Sequence, residues 1–306
     1  MKILVTGAAG FIGTYLSKEL RAANHDVIGV DREDGDLIRP GVADWFVKNH
    51  KPDVLIHLAA KIGRLFGEED PQATVDANAV ATIHVAQACA KYGTRLVYGS
   101  TSEAFGDNGE RTVNEKEHGV LPHNLYGLSK RWGEEAAQLY AGKDLQIIRF
   151  SMPYGPGLPA GWGRAAIITF LWQAHRQKTM TVHRGGHRCL CWIGDLTTGT
   201  RMIVEGGGSG VWTVGRDDNE VAMVDVARMA CSMAGVSSEL IREIDPPRNQ
   251  TLVKRLNVER LRSLGWNPRV ELIDGMARTF EMVKQYGEDG MPPEAWRKFV
   301  KEKVVL

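Results

Sequence analysis

Between residues 2 and 150, short apolar runs alternate with segments of helical period, and this rhythm admits few folds. The runs are KILVT (2 to 6), DVIGV (26 to 30), PDVLIHLAA (52 to 60), RLVYGST (95 to 101) and LQIIRF (145 to 150). Between them Ile12, Leu16 and Leu20 recur at helical spacing, Val75, Ala79, Ile83 and Ala86 share a face of a helix over about 74 to 91, and another helix spans about 125 to 140. Strand, helix, strand repeated in this way predicts an α/β fold, a Rossmann-type doubly wound parallel sheet with helices on both faces. After Phe150 the rhythm breaks at MPYGPGLPAGWG, whose prolines and glycines mark a loop. Beyond it the pattern predicts a helix over 165 to 177, a hairpin around HRGGHR, a strand at VWTVG (211 to 215), and amphipathic helices near 221 to 234 and 272 to 286. The expected organisation is a first domain over 1–150 and a smaller C-terminal α/β lobe over 151–306, with strands near 189–215 returning to the sheet and Trp266 and Trp296 packing the lobe.

The first strand runs into GAAGFIG, and that position gives the glycines a chemistry. Gly7 allows the tight turn, Gly10 lets a pyrophosphate approach the backbone, and Gly13 lets the helix pack on the strand. The helix N-terminus then offers N–H donors to the anion. Asp31 ends the second strand about 20 residues past the turn, where a carboxylate accepts hydrogen bonds from an adenosine ribose and repels a 2′-phosphate. The pattern predicts NAD rather than NADP, although Arg32 is a guanidinium able to bind that phosphate. Asp31 as a plain turn residue is the competing reading.

Tyr126 and Lys130 stand four apart at the start of a helix, so they face the same way. An ammonium there lowers the pKa of the phenol and fits it for general acid or base work. The pair follows the strand that ends in Ser100, Thr101, Ser102 and Glu103. In doubly wound sheets ligands gather at the carboxyl ends of the strands. The hydroxyls and the carboxylate are therefore expected to meet a substrate beside the cofactor, against the alternative of a solvated strand end with Glu103 as a helix cap.

GAAGFIG, Asp31, HLAA (57 to 60), the Ser-Thr strand end, Tyr126-x-x-x-Lys130, RFSMPYGPG (149 to 157) and LRSLGWNP (261 to 268) together resemble the extended short-chain dehydrogenase/reductases, the NAD-dependent epimerase/dehydratase family acting on nucleotide sugars. The resemblance covers nearly the whole chain. It implies that Tyr126 takes the proton from a sugar hydroxyl, usually at carbon 4, as hydride passes to NAD, that Lys130 holds the nicotinamide ribose, and that Thr101 orients the hydroxyl. Thr-Ser-Glu is similar to the motif of GDP-mannose 4,6-dehydratases and UDP-glucuronate decarboxylases, in which Glu103 would be the fourth catalytic residue, a base for the proton on carbon 5. The cofactor set so implied is Gly7, Gly10, Phe11, Ile12, Gly13, Asp31, Asp36, Leu37, Leu58, Ala59, Ala60, Lys61, Tyr126, Lys130 and Pro153. Ser102, Arg188 and Arg255 are the implied contacts to a nucleotide-diphosphate sugar held mainly by the C-terminal lobe. Helices 74–91 and 125–140 would pair two subunits into a homodimer. Met152 departs from the pattern, standing where the family has an Asn that contacts the diphosphate, and HLAAKIG is similar to GDP-fucose synthases although their active-site cysteine is missing. The reading is dehydration or decarboxylation ahead of 4-epimerisation, with an NADPH-consuming keto-sugar reductase and a dinucleotide-sensing regulator as alternatives.

Other classes find little support. With 38 basic against 37 acidic residues, neither nucleic acid nor a membrane surface is an expected partner. No run approaches the ~18 apolar residues of a membrane span. The opening apolar run is too short for an export segment and Cys89, Cys189, Cys191 and Cys231 make no disulfide framework, so the expected setting is cytoplasmic. His183, His187, Cys189 and Cys191 crowd one segment, but Cys-x-Cys in a strand leaves little room to close a tetrahedron, and no metal is expected. Cys89 reads as core filling, and His118 and His123 flank the loop before Tyr126.

Overall fold

The computed structural model describes residues 1–107, 109, 111–115, 120–158, 165–218 and 220–286; His118 and Trp296 lie outside them. Six strands form one parallel sheet: β1 (Lys2–Thr6), β2 (Asp26–Val30), β3 (Val54–His57), β4 (Arg95–Thr101), β5 (Gln146–Phe150) and β6 (Gly210–Val214). Their order is β6-β5-β4-β3-β1-β2, so the chain reverses direction across the sheet between β1 and β3. Every neighbouring pair is parallel. Side chains alternate across it. Ile3, Val5, Val54, Ile56, Val97 and Ile148 enter the core on one face, and Leu4, Leu55, Leu96, Tyr98 and Ile147 the core on the other. Burial on both faces is why these strands read as continuous apolar runs.

Six helices bear on the site: α1 (Phe11–Ala22), α2 (Val42–His50), α3 (Arg64–Glu69), α4 (Pro71–Val75), α5 (Ala81–Tyr92) and α6 (Leu125–Tyr140). The helix expected over 74–91 is interrupted by a π turn at Asp76–Val80. One extra residue in that turn rotates the buried face, so beyond it Ala81, Val85, Ala88 and Cys89 are buried and Ile83 is only half-buried. Glycine at 93, with φ +68°, ends α5 in the left-handed conformation that caps helices.

Past β5 the smaller sheets do not follow the expected hairpin. Met180–His183 and His187–Trp192 are consecutive but unpaired with each other. The first pairs in parallel with Ile241–Ile244, and the second lies between Met152–Tyr154 and Glu220–Ala222. Of the strands expected to return near 189–215, β6 joins the main sheet and His187–Trp192 does not. Trp266 is buried and donates its indole N–H to the Asp195 carbonyl at 2.9 Å. No helix among the described residues is long and apolar enough to cross a membrane.

Candidate active site

A single cavity of about 1380 Å³ runs along the carboxyl ends of the strands. That exceeds the ~300–1,000 Å³ of a site for one small ligand and leaves room for two side by side. Its first half is built by the glycine turn. Gly7 has φ +72°, and a Cβ there would lie 2.7 Å from the Ala59 amide nitrogen; one on Gly13 would lie 2.1 Å from the Gly7 carbonyl oxygen. No side chain caps the N-terminus of α1, and Gly10, Phe11, Ile12 and Gly13 all line the cavity there. Asp31 Oδ2 accepts the Ala9 N–H at 2.8 Å. Burial raises the pKa of this carboxyl, the Ala9 N–H opposes that, and the charges of Asp34 and Glu33 add to it. Arg32 borders the cavity but its side chain is 85% exposed and pairs with Asp36 at 3.4 Å. Asp36, Leu37, Leu58, Ala59, Ala60, Lys61 and Pro153 line the same half. The Lys61 ammonium is engaged with Asp70 Oδ2 at 2.9 Å.

The second group sits where β4 meets α6. Asn124 caps α6, its Oδ1 accepting the Gly127 N–H at 2.9 Å, while the Leu125 N–H donates to Glu68 Oε1 of α3 at 3.1 Å. These caps fix Tyr126 in the first turn, where it lines the cavity together with Thr101. Burial pushes the phenol up to about 12, the Thr101 side chain opposes that, and the Glu103 charge adds to it. Lys130 is one turn on and only 2% exposed, with Nζ 4.2 Å from the Tyr98 ring centroid. Burial pushes its amine down to about 7 against the opposing pull of Glu134.

Several supports of this group escape sequence reading. Asn78, in the π turn, accepts the Lys61 N–H and donates to the Lys61 carbonyl, each at 2.9 Å, and also donates to Ser129 Oγ at 3.0 Å. His57 is fully buried, with Nδ1 2.7 Å from Thr6 Oγ1 and Nε2 without a hydrogen-bond partner. Burial, and then the Lys130 charge, push it down to about 3, so it is a neutral ring. Ser100 lines the cavity, but its hydroxyl donates to Glu134, which pairs with Arg149 at 2.6 Å in the interior.

The third group is the charge cluster at the far end. Glu103 Oε1 pairs with the Lys254 ammonium, and Oε2 accepts from Thr251 Oγ1 at 2.8 Å and Asn124 Nδ2 at 3.3 Å. Burial alone would raise this carboxyl, but Lys254, Arg188 and Thr251 outweigh it and hold it at about 2. Arg188 is buried and donates to the carbonyls of His187, Leu252 and Thr251 at 2.8, 2.6 and 2.6 Å. Ser102, Met152, Arg188 and Lys254 line the cavity. Arg255 is not among its lining residues and pairs with Glu220 at 2.8 Å. Neighbouring residues in an extended segment point to opposite sides, so a reading one residue out of phase selects Arg255 in place of Lys254.

Residues 3–215 match the NAD dependent epimerase/dehydratase family. The chain belongs to this family. A UDP-glucuronic acid decarboxylase of Arabidopsis thaliana is 28% identical over 303 residues, covering 90% of this chain and 87% of the relative. A putative UDP-glucose 4-epimerase of Methanocaldococcus jannaschii is 27% identical over 305 residues, covering 92% and 98%. The crystal structure of the Thermus thermophilus UDP-glucose 4-epimerase in complex with NAD superposes with a TM-score of 0.84 at 23% identity, over 94% of this chain and 100% of the other.

The cofactor of this family member is NAD. Its residues fit that group: the cradle at Gly7 and Gly13 has no room for side chains, the α1 N-terminus suits a pyrophosphate, and Asp31, Glu33, Asp34 and Asp36 against the single Arg32 suit an unphosphorylated ribose. Among the described residues no group of His, Cys, Asp or Glu side chains is placed to hold a metal ion. Cys189 and Cys191 are buried, and Cys89 is buried with its thiol pushed up to about 12.

Lys130 supplies a measurable consequence. An amine lowered from 10.5 to about 7 binds fewer protons folded than unfolded, so its burial destabilises the fold fully below pH 7 and progressively less up to 10.5. Lys130→Met, in protein freed of cofactor, is expected to be inactive yet more stable than the unsubstituted chain by on the order of 3–5 kcal/mol at pH 6. Denaturant unfolding across pH 6 to 10 checks it: the stability difference should shrink as pH rises, and a constant difference contradicts the assignment.

Proposed function

We propose that the protein binds a nucleotide-diphosphate sugar beside NAD and oxidises it transiently at carbon 4, with decarboxylation of a C6 acid as the favoured outcome. The carrying observation is the placement of Tyr126, Thr101 and Lys130 between the dinucleotide cradle and the Glu103–Lys254–Arg188 cluster, all in one cavity. Bound NAD supplies the hydride acceptor and returns the hydride. Tyr126 takes the proton of the sugar hydroxyl, Thr101 holds that hydroxyl against the phenol, and the Lys130 ammonium favours the phenolate. Ser102 and Lys254 face the sugar. The C6 carboxylate is carried on carbon 5, β to the new carbonyl at carbon 4, so the C5–C6 bond breaks with loss of carbon dioxide and its electron pair enters the carbonyl as an enolate, later protonated at carbon 5. No base need take a proton from carbon 5, which suits a site whose Glu103 is held at about 2. The same fact counts against 4,6-dehydration, which needs that base. Relatives named UDP-glucuronic acid decarboxylases support the ordering. The second reading, 4-epimerisation, is favoured by the size of the cavity, about 1380 Å³, which leaves a keto-sugar room to turn.

The division of labour we infer is an NAD-binding domain over 1–150 and a mainly substrate-binding lobe over 151–306, in a cytoplasmic protein whose cysteines stay reduced. Trp132 and Leu139 on α6 and Leu121 beside it are 44%, 75% and 68% exposed. This apolar face supports a homodimer formed through α5 and α6.

Mass spectrometry of the products from UDP-glucuronic acid, UDP-glucose and GDP-mannose tests the reading. Loss of carbon dioxide from the uronic acid is expected. Loss of water would shift the assignment to dehydration, an unchanged mass with a new carbon 4 configuration to epimerisation, and stoichiometric consumption of added NADPH to a reductase.

A further inference from the structure

Arg64 is the first residue of α3, in the connection between β3 and α5, and it lines the substrate end of the cavity with His183, Arg188 and Lys254. Three other cations around the cavity are committed. Lys61 pairs with Asp70 at 2.9 Å, Lys254 pairs with Glu103, and Arg188 spends its donors on three carbonyls. Arg64 makes one hydrogen bond, from Nη1 to the neutral Asn249 Oδ1 at 3.0 Å, and among the described residues no carboxylate lies within ion-pair distance of it. A guanidinium has five N–H donors, so most of its donors have no protein partner among the described residues. Arg64 and Arg188 converge on one place: after burial, their two charges are what lower the His183 ring below its ordinary pKa. Glu103, which also lines the cavity, is paired with Lys254. The opposing wall at Met152 is apolar and offers no donor from its side chain.

We propose that Arg64 is a specificity-determining residue that binds the phosphate groups of the substrate from the α3 side, opposite Arg188. This rests on the reading of the substrate as a nucleotide-diphosphate sugar. The two positive charges lining one cavity repel each other, and a doubly charged diphosphate relieves that cost: Arg64 offers it uncommitted donors in bidentate geometry, while Arg188, its donors held by three carbonyls, contributes charge. The neutral Asn249 holds the Arg64 fork without discharging it, which keeps the site ready for an anion. The position also ties binding to catalysis. A Cβ on Gly67 would sit 3.4 Å from the Tyr126 amide nitrogen, and Glu68 Oε1 takes the Leu125 N–H at 3.1 Å, so α3 rests on the turn that carries the phenol. An anion drawing Arg64 inward presses the segment that positions Tyr126.

Calorimetric titration of the NAD-loaded protein with UDP, GDP and dTDP separates the possibilities. Arg64→Gln is expected to weaken the best-bound diphosphate about tenfold and Arg64→Lys less, with NAD affinity and melting temperature unchanged. Asn249→Ala, which removes the clasp and keeps the guanidinium, is expected to cost less than about threefold. An Arg64→Gln protein with undiminished diphosphate affinity overturns the proposal. So does a loss matched by Asn249→Ala or by a fall in NAD affinity, either of which marks a structural clasp. A parent protein that binds none of the diphosphates overturns the nucleotide-sugar reading itself.

Discussion

Tyr126→Phe is expected to lower turnover by about a thousandfold while leaving NAD bound, because it removes the group proposed to move the proton of the sugar hydroxyl. The phenol lines the cavity with Thr101 and stands one helical turn from Lys130. In the protein alone burial holds it up at about 12, so it is protonated near neutral pH. The Lys130 ammonium and the positive nicotinamide both favour its ionised form, and the working pKa therefore lies lower in the loaded site. Since the deprotonated form acts, kcat/KM should rise with pH through that value and level off above it. In Tyr126→Phe the residual rate should lose this rise. Thr101→Ala should cost less, about ten- to a hundredfold, because it removes a hydroxyl that would orient the substrate and leaves the phenol in place. Single-turnover reduction of bound NAD, followed by absorbance, measures each. A Tyr126→Phe protein with the full rate and the same pH profile would end the assignment of the phenol as base.

What the sequence shows and hides follows from how far apart the interacting residues are. The glycine turn, Asp31, the Thr-Ser-Glu strand end and the Tyr126–Lys130 spacing are local patterns whose meaning is set within a few residues, and the structure places all of them on one cavity. The strands of the main sheet are legible for the same reason: burial on both faces demands unbroken apolar runs. The π turn at Asp76–Val80 is not, since DANAV is ordinary helical sequence and the bulge is fixed by Asn78 bridging to Lys61 and Ser129. Nor is α3, a helix of 6 residues held by its contacts to the α6 N-terminus rather than by its own propensity. Lys254 lies 151 residues from Glu103, and only the fold reveals that this acid is spoken for. The spacing of Glu103 from Thr101 suggests a base; the partners that disarm it come from the other end of the chain.

Glu103→Gln is expected to destabilise the protein more than it changes the chemistry at carbon 4. The carboxyl falls from 4.5 to about 2 in the folded protein. A depressed carboxyl stabilises the fold above the unfolded value and loses that contribution as pH falls through the folded one, so the window runs from about pH 4.5 down to about 2. The shift corresponds to on the order of 3 kcal/mol. Glutamine discards this and leaves Lys254, 8% exposed, with no carboxylate, beside the buried Arg188. Breaking one side of such a pair costs about 3–5 kcal/mol, a drop in Tm of roughly 5–15 °C in a chain of this size. Glu103→Gln with Lys254→Met removes the stranded charge and should regain most of it. If Glu103→Gln melts with the parent, or the double variant is no more stable than the single one, the pair does not hold the 251–254 segment in place. Kinetics separate anchor from base, because an anchor lost leaves the first hydride transfer running at a reduced affinity, whereas a base lost stops only the step after it. An acid held at about 2 is too weakly basic to draw a proton from carbon near neutral pH, so a dehydratase built on this site would need that proton taken by another group.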